Sequence, residues 1–249
     1  MTVKNKKNLD FKVSVVFGGH SPIAIEISKI LSSTSKVIHF TRKADDELKN
    51  AFKDFKFVQV KEFNNYENSF IDNSTLVNEP VNSIIFALKS DSRVKVDEIS
   101  SFKTEVLFPY YYIKQLVDYR MFKKPASVVF LSSPAADLVL KDQPLIYHLV
   151  KSSINQLVRY LSVNYGDFLR INSISPGSFV IKDRNKDYFS EQTDTGKKIR
   201  EFLPTKVIPT VKDIAQIVNF LVSEEGRILN GENLKLDSGY LNIEISQRL

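Results

Sequence analysis

Tyr147 and Lys151 stand four residues apart, so on a helix both project from one face. A phenol with a pKa near 10 is a poor acid or base at neutral pH. An ammonium one turn away stabilises the phenolate and draws that pKa toward the working range, which is the chemistry of a proton-transfer group. The spacing alone proves little. Three such pairs occur, Tyr110/Lys114, Tyr119/Lys123 and Tyr147/Lys151, where roughly one is expected by chance in a chain with 10 Tyr. Context separates them. Only Tyr147 follows an apolar run that ends in hydroxyls, Ser132 and Ser133, 14 or 15 residues earlier. Only its helix leads into another apolar run and then Ser175-Pro176-Gly177. Tyr110 and Tyr119 lie in an aromatic-rich segment, FPYYYIKQLVDYRMF, that reads as packing. His148, beside Tyr147, points elsewhere on the helix and reads as structural.

A second constellation lies near the start. Gly is scarce, 8 in 249, so where the chain keeps it is informative. After the first apolar run the sequence reads Gly18-Gly19-His20-Ser21-Pro22-Ile23-Ala24. Ser21 suits an N-cap, and Pro22 suits the first helical position, where its missing N–H is no loss. A helix N-terminus just past a parallel strand is an anion site by geometry and dipole, and a dinucleotide pyrophosphate is its natural occupant. The same turn is also ordinary punctuation between a strand and a helix.

The elements that must position these residues follow from the hydrophobic pattern. Apolar runs at Phe11–Phe17, Lys36–Thr41, Phe55–Val60, Asn82–Leu88, Ala126–Leu131, Leu169–Ile174 and Asn233–Leu236 read as strands. Helical segments fall between them, clearest at Pro22–Leu31, Pro144–Asn164 and Val211–Ser223, and Gly166 sits at the cap position of the longest. Strand–helix alternation of this kind implies an α/β fold, a parallel sheet covered on both faces. With no repeat, low-complexity segment or linker, residues 1–249 are expected to form one domain. The polar stretch 182–202 is the exception, and it reads either as a lid over a site or as a solvated loop.

Composition narrows the function classes. Hydrophobic content of 43% supports a core. There is no Cys, which excludes a disulfide scaffold, a thiolate metal site and a cysteine nucleophile, and fits a reducing cytosol. His20, His39 and His148 are far apart in sequence, so no metal site is expected. The net charge of +6 is partly a flexible basic tail over residues 1–10, so no nucleic-acid partner is expected. No run suits a secretory signal or a membrane span, so a soluble, cytoplasmic protein is expected, with no membrane partner.

Taken in order, FGGHSPIA, FLSSPAA, IYHLVKSSINQLVRYLSVNYG, RINSISPGSF, PTVKDIAQIVNFL and NGENLKLDSGY resemble the short-chain dehydrogenase/reductase family over nearly the full length. The resemblance implies a single Rossmann-like, doubly wound domain with a seven-stranded parallel sheet, a nicotinamide dinucleotide, and a Ser-Tyr-Lys catalytic group. By it, Tyr147 would exchange a proton with the substrate oxygen, and Ser133, or failing that Ser132, would hold that oxygen. Lys151 would bind the nicotinamide ribose and depress the tyrosine pKa. The cofactor would contact Gly18, His20, Ser21, Pro22, Ile23, Thr41, Arg42, Lys43, Ala87, Leu88, Tyr147, Lys151, Pro176, Gly177 and Phe179. The segment near Glu105 would lie on the long helix of a subunit interface, in a homodimer or homotetramer.

The chain departs from the family pattern in ways that bear on function. Pro22 and Ala24 replace the later glycines of the turn, somewhat as in bacterial enoyl reductases, which however space Tyr and Lys more widely. Phe86-Ala87-Leu88-Lys89 replaces the usual Asn-Asn-Ala-Gly, Glu105 stands where a catalytic asparagine is common, and Ile181 stands where a threonine is. Two functions are therefore open. One is an NAD(P)-dependent oxidoreductase acting on a carbonyl/alcohol pair of a small molecule. The other is a cofactor-binding regulator or scaffold without redox turnover. The second strand ends Phe40-Thr41-Arg42-Lys43 with no acid before Asp45. An acid there would hold the ribose hydroxyls of NAD, whereas Arg42 and Lys43 suit a 2′-phosphate, so NADP is expected over NAD.

Overall fold

A computed structural model describes residues 12–64, 66, 77–89, 98–178 and 180–244. The basic tail expected over residues 1–10, and Phe179, lie outside them. The strands are β1 (Lys12–Phe17), β2 (Ser35–Thr41), β3 (Val58–Glu62), β4 (Val81–Phe86), β5 (Phe122–Leu131), β6 (Leu169–Pro176) and β7 (Asn233–Leu236). They form one sheet in the order β3-β2-β1-β4-β5-β6-β7, with every pairing parallel. The chain winds outward from β1 to β3, then returns to β4 on the other side of β1. That reversal opens a crevice at the carboxyl ends of β1 and β4.

All seven expected strands are present, with shifted ends. β5 begins at Phe122 rather than Ala126, and β6 runs on to Pro176. β3 begins at Val58 rather than Phe55, because the Phe55 carbonyl closes a turn by accepting from the Val58 amide. The helices are α1 (Pro22–Leu31), α2 (Asp46–Ala51), α3 (Glu98–Phe102), α4 (Phe108–Asp118), α5 (Leu145–Tyr165), α6 (Asp194–Phe202) and α7 (Val211–Val222). A π-helical turn, Lys103–Leu107, joins α3 to α4.

Both faces of the sheet are buried, which is why its strands read as nearly continuous apolar runs. On one face α1 and α7 set Ala24, Ile27, Leu31, Ile214, Val218 and Leu221 against Val16, Val37, Ile85 and Val129. On the other, α4 and α5 set Tyr112, Ile113, Leu116, Ile154 and Val158 against Val15, Ile84 and Val128. A row of phenylalanines crosses the sheet at the end of this second face. Phe40, Phe17, Phe86 and Phe130 occupy matching register positions in β2, β1, β4 and β5. Their rings stack in sequence, with centroids 4.8, 5.3 and 5.0 Å apart. Offset stacking adds to burial in holding four strands level.

His39 in β2 is fully buried. Its Nε2–H donates to the Gly19 carbonyl and its Nδ1 accepts from the Ser28 hydroxyl of α1, both at 2.8 Å. Because a carbonyl can only accept, this is the neutral imidazole in one tautomer. Burial above all pushes its pKa down to about 4 from 6.5, against the opposing effect of its bond to the Gly19 backbone and with a smaller push in the same direction from nearby His20. The unfolded chain therefore takes up a proton that the folded one refuses as pH falls from 6.5 to 4. Stability is full above pH 6.5 and falls by roughly 3 kcal/mol across that window. Urea titrations of wild type and His39→Gln between pH 7 and 4 should show a shallower acid decline in the variant.

Candidate functional site

The crevice holds two clefts that meet. The larger, about 570 Å³, is lined by Gly18, Gly19, His20, Ser21, Pro22, Thr41, Arg42, Tyr66, Ala87, Leu88, Lys89, Thr104, Lys182 and Arg184. The smaller, about 360 Å³, is lined by Ser21, Ile23, Ala87, Leu88, Lys89, Leu131, Ser132, Ser133, Pro134, Leu140, Gln143, Tyr147, Lys151, Pro176, Gly177, Ser178, Val180 and Lys182.

The loop after β1 is pinned by its own backbone. Gly19 N–H donates to the Phe40 carbonyl at 3.1 Å, and Ser21 N–H to the Gly18 carbonyl at 3.0 Å. A Cβ on Gly18 would lie 2.3 Å from that of Ala24, and Gly19 has φ of +50°, so neither position admits another residue without strain. Ser21 is the N-cap of α1, but its side chain makes no capping bond. With Pro22 next, the first-turn amides are left for another acceptor. A glycine cradle at a helix N-terminus, opening on a cleft lined by Arg42, Lys89, Lys182 and Arg184, fits the phosphates of a dinucleotide.

At the end of β2, Thr41 and Arg42 line the larger cleft, and the Arg42 guanidinium lies 5.4 Å from the Tyr66 ring centroid. Lys43, expected beside them, does not line either cleft. Its backbone is held by the Thr41 hydroxyl, which accepts from Lys43 N–H at 3.2 Å and donates to its carbonyl at 3.0 Å. The nearby acids serve local structure. Glu62 accepts from Ala44 N–H at 2.7 Å. Asp45 accepts from Leu48 N–H as the N-cap of α2 and lies 2.8 Å from His20 Nε2, and these bonds, His20 first, hold its carboxyl below the usual range.

In the smaller cleft Tyr147 and Lys151 lie on the first turns of α5, and the Lys151 ammonium is 5.6 Å from the Tyr147 ring centroid. His148 is structural, as expected. Its Nε2 accepts from Leu140 N–H at 2.8 Å and its Nδ1 donates to the Pro144 carbonyl at 3.0 Å. The two serines differ. The Ser132 hydroxyl donates to the Lys151 carbonyl at 3.4 Å. The Ser133 oxygen accepts from Ala135 N–H at 3.2 Å, which leaves its hydrogen to donate elsewhere.

Lys151 is nearly fully buried and donates to Glu105 Oε2 at 2.8 Å and to the Leu131 carbonyl at 3.2 Å. Glu105 is 3% exposed and comes from the π-helical turn before α4. Such turns are rare and recur at functional sites. The segment near Glu105 was expected to lie on the long helix of a subunit interface. Glu105 lies in a helical stretch running from Glu98 to Asp118, but its side chain faces inward onto Lys151. Of the other two Tyr/Lys pairs, Tyr110 packs against the core as expected and Lys114 pairs with Asp118 at 2.8 Å, whereas Tyr119, also expected to pack, is half exposed.

The polar stretch 182–202 is not an open loop. It holds a short 3-10 turn, Asp183–Asn185, and α6, whose N-cap Thr193 accepts from Gly196 N–H at 3.0 Å. Phe189 is buried with Leu203 and Ile208, and Ile181 and Ile199 pack on them. Its charges cover one side while these few apolar residues anchor the other, a pattern too sparse to stand out in the sequence. Ile181 N–H donates to the Pro209 carbonyl at 2.8 Å, which ties the segment to the start of α7. Ile181 turns to this small core, and the next residue, Lys182, lines both clefts.

Of the residues expected at the site, Gly18, His20, Ser21, Pro22, Ile23, Thr41, Arg42, Ala87, Leu88, Ser133, Tyr147, Lys151, Pro176 and Gly177 line one cleft or both. Tyr66, Thr104, Lys182 and Arg184 were missed, as was Lys89 as a lining residue. Only the charge of Lys89 just past β4 and of Lys182 after the sixth strand could have hinted at them. Among the described residues no group of His, Asp and Glu could hold a metal ion, and no helix is long and apolar enough to cross a membrane.

A family model described as enoyl-(acyl carrier protein) reductase matches residues 96–241. L-xylulose reductase of Caenorhabditis elegans is 31% identical over 117 residues, 47% of this chain and 45% of that protein. The enoyl-acyl-carrier-protein reductase (NADH) of Bacillus subtilis is 30% identical over 121 residues, 48% of this chain and 46% of that protein. The matches thus span about half the length of these curated relatives. Among solved structures, a short-chain type dehydrogenase/reductase from Mycobacterium ulcerans superposes with a TM-score of 0.75 at 19% identity, over 97% of this chain and 95% of that one. One from Serratia marcescens superposes with a TM-score of 0.72 at 16% identity, over 92% and 97%. The seven-stranded parallel sheet, the crevice at its β1/β4 reversal and a family match over more than half its length make this chain a member of the short-chain dehydrogenase/reductase family.

Proposed function

We propose that the protein is an oxidoreductase that moves a hydride between a nicotinamide dinucleotide, NADP in preference to NAD, and the carbonyl/alcohol pair of a small molecule. The reading rests on one observation: Ser133, Tyr147 and Lys151 share a cleft that opens into the glycine cradle of α1. When bound, the nicotinamide supplies or takes the hydride. The chain supplies the rest. The loop Gly18–Ile23 and the N-terminus of α1 hold the pyrophosphate, and Arg42 faces the 2′-phosphate. Ala87, Leu88, Pro176 and Gly177 wall the nicotinamide. Tyr147 passes a proton to or from the substrate oxygen, Ser133 donates a hydrogen bond to that oxygen, and Lys151 holds the ribose beside Tyr147. Leu145, Leu149, Tyr160 and Val163 are exposed within about 60° of one another around α5, which supports a homodimer or homotetramer.

A second reading, cofactor binding without turnover, is favoured by the Glu105–Lys151 pair, because Glu105 and the Leu131 carbonyl together occupy two of the three ammonium hydrogens. The first reading keeps the third hydrogen for the ribose, with Glu105 neutralising the buried charge.

Three measurements follow. Screened for NADPH oxidation on carbonyl compounds, Tyr147→Phe should lose roughly 100-fold or more in turnover while binding cofactor as before. Full activity in Tyr147→Phe on the identified substrate would contradict its role. Calorimetric titration should give tighter binding of NADP than NAD by about tenfold or more, reversed in Arg42→Asp. Equal affinities would remove the preference. Glu105→Ala leaves the Lys151 ammonium buried without its counter-charge and should lower unfolding free energy by about 3–5 kcal/mol in chemical denaturation.

A further inference from the structure

Five residues line both clefts, and two of them are cationic: Lys89 and Lys182. They mark the passage between the cradle of α1 and the cleft that contains Tyr147. Among the described residues neither cleft is lined by a carboxylate. Lys151 has Glu105 as its counter-charge, but among the described residues Arg42, Lys89, Lys182 and Arg184 form no ion pair. Among the described residues the opening thus holds several like charges with no acid lining it. Lys182 records the crowding: burial first, then the charges of Arg184 and Lys89, hold its ammonium below the usual lysine range.

The dinucleotide reading assigns part of this charge. Arg42 faces one end of the larger cleft, and the amides of α1 face the pyrophosphate. Lys89 is placed differently. Its ammonium lies 5.7 Å from the Tyr147 ring centroid, about as close as that of Lys151 at 5.6 Å. It therefore flanks the residue proposed to carry the proton, on the side of the shared passage. An ammonium there attracts a compact anion by charge alone and favours neither carboxylate nor phosphate geometry. The position follows from sequence. Lys89 lies three residues past Phe86, the last residue of β4 and a member of the stacked row, so its backbone leaves the sheet at the floor of the crevice.

We propose that the substrate carries a compact anionic group, a carboxylate or a phosphate monoester, held by Lys89 with Lys182 while its carbonyl or alcohol carbon lies against Tyr147. The assignment rests on the oxidoreductase reading for the identity of the reacting carbon, but the anion site itself can be tested without turnover. Oxidised NADP and a ketone cannot exchange a hydride, so they form a dead-end complex whose affinity reports binding alone.

The test is calorimetric titration of two matched pairs into protein saturated with oxidised NADP: dihydroxyacetone phosphate against dihydroxyacetone, and acetoacetate against methyl acetoacetate. The same titrations are made into free protein. The anionic member of at least one pair should bind about tenfold or more tightly than its neutral partner. Lys89→Ala and Lys89→Gln should erase most of that ratio, a larger effect than any they have on NADP affinity. Equal binding within both pairs overturns the proposal. So does a Lys89 variant that keeps the ratio, or one that weakens NADP tenfold while the ratio stands, because Lys89 would then serve the dinucleotide. Anion-selective binding with no NADPH oxidation on any carbonyl compound would leave the anion site standing and defeat the oxidoreductase reading.

Discussion

Four stacked phenylalanines set the level at which this sheet stops. Phe40, Phe17, Phe86 and Phe130 are each the last or next-to-last residue of their strands, their rings pack in one row, and the two central rings, Phe17 and Phe86, meet Phe108 and Tyr112 edge-on. Side chains alternate along a strand, so a one-residue slip would send a ring to the opposite face. The row thereby fixes the residues that follow it. Gly18, Thr41, Ala87 and Leu131 all leave the sheet at one height, and all four line the clefts. The Gly19 amide and carbonyl are then held by Phe40 and His39 of the neighbouring strand.

From that floor the site is completed by elements distant in sequence. α5 delivers Tyr147 and Lys151, the π-helical turn delivers Glu105 from 46 residues upstream of Lys151, and the segment after β6 brings Lys182. The Glu105–Lys151 pair is the costly item, since two charges must leave water. Its place behind the candidate proton-transfer tyrosine gives that cost a use, because an unpaired lysine buried there would tend to lose its charge.

How legible this was from sequence depended on whether the signal was local. The strands were readable because a doubly covered parallel sheet writes each as an apolar run. β3 was misplaced because it is an edge strand with alternating exposure, preceded by a Phe in a turn. β5 was begun late because Lys123, Lys124 and Pro125 disguise its first residues. The glycine cradle and the Tyr/Lys pair were readable because their geometry spans one turn of chain. Lys43 does not line either cleft, and adjacency to Arg42 does not show which side chain turns into it. Lys89 meets Lys182 only across 93 residues, His39 reaches Gly19 only between neighbouring strands, and the anchoring of 182–202 depends on Leu203 and Ile208 outside the polar stretch. Nothing local announces such contacts.

The central claim is that a nicotinamide dinucleotide lies across the crevice at the β1/β4 reversal. Amide hydrogen exchange read by mass spectrometry, with and without saturating NADPH, tests it most directly. Added protection should concentrate in 18–24, 41–43, 87–89 and 176–182, and leave α4 and the outer half of α5 unchanged. Absence of protection in 18–24, or protection confined to the helices, would contradict it.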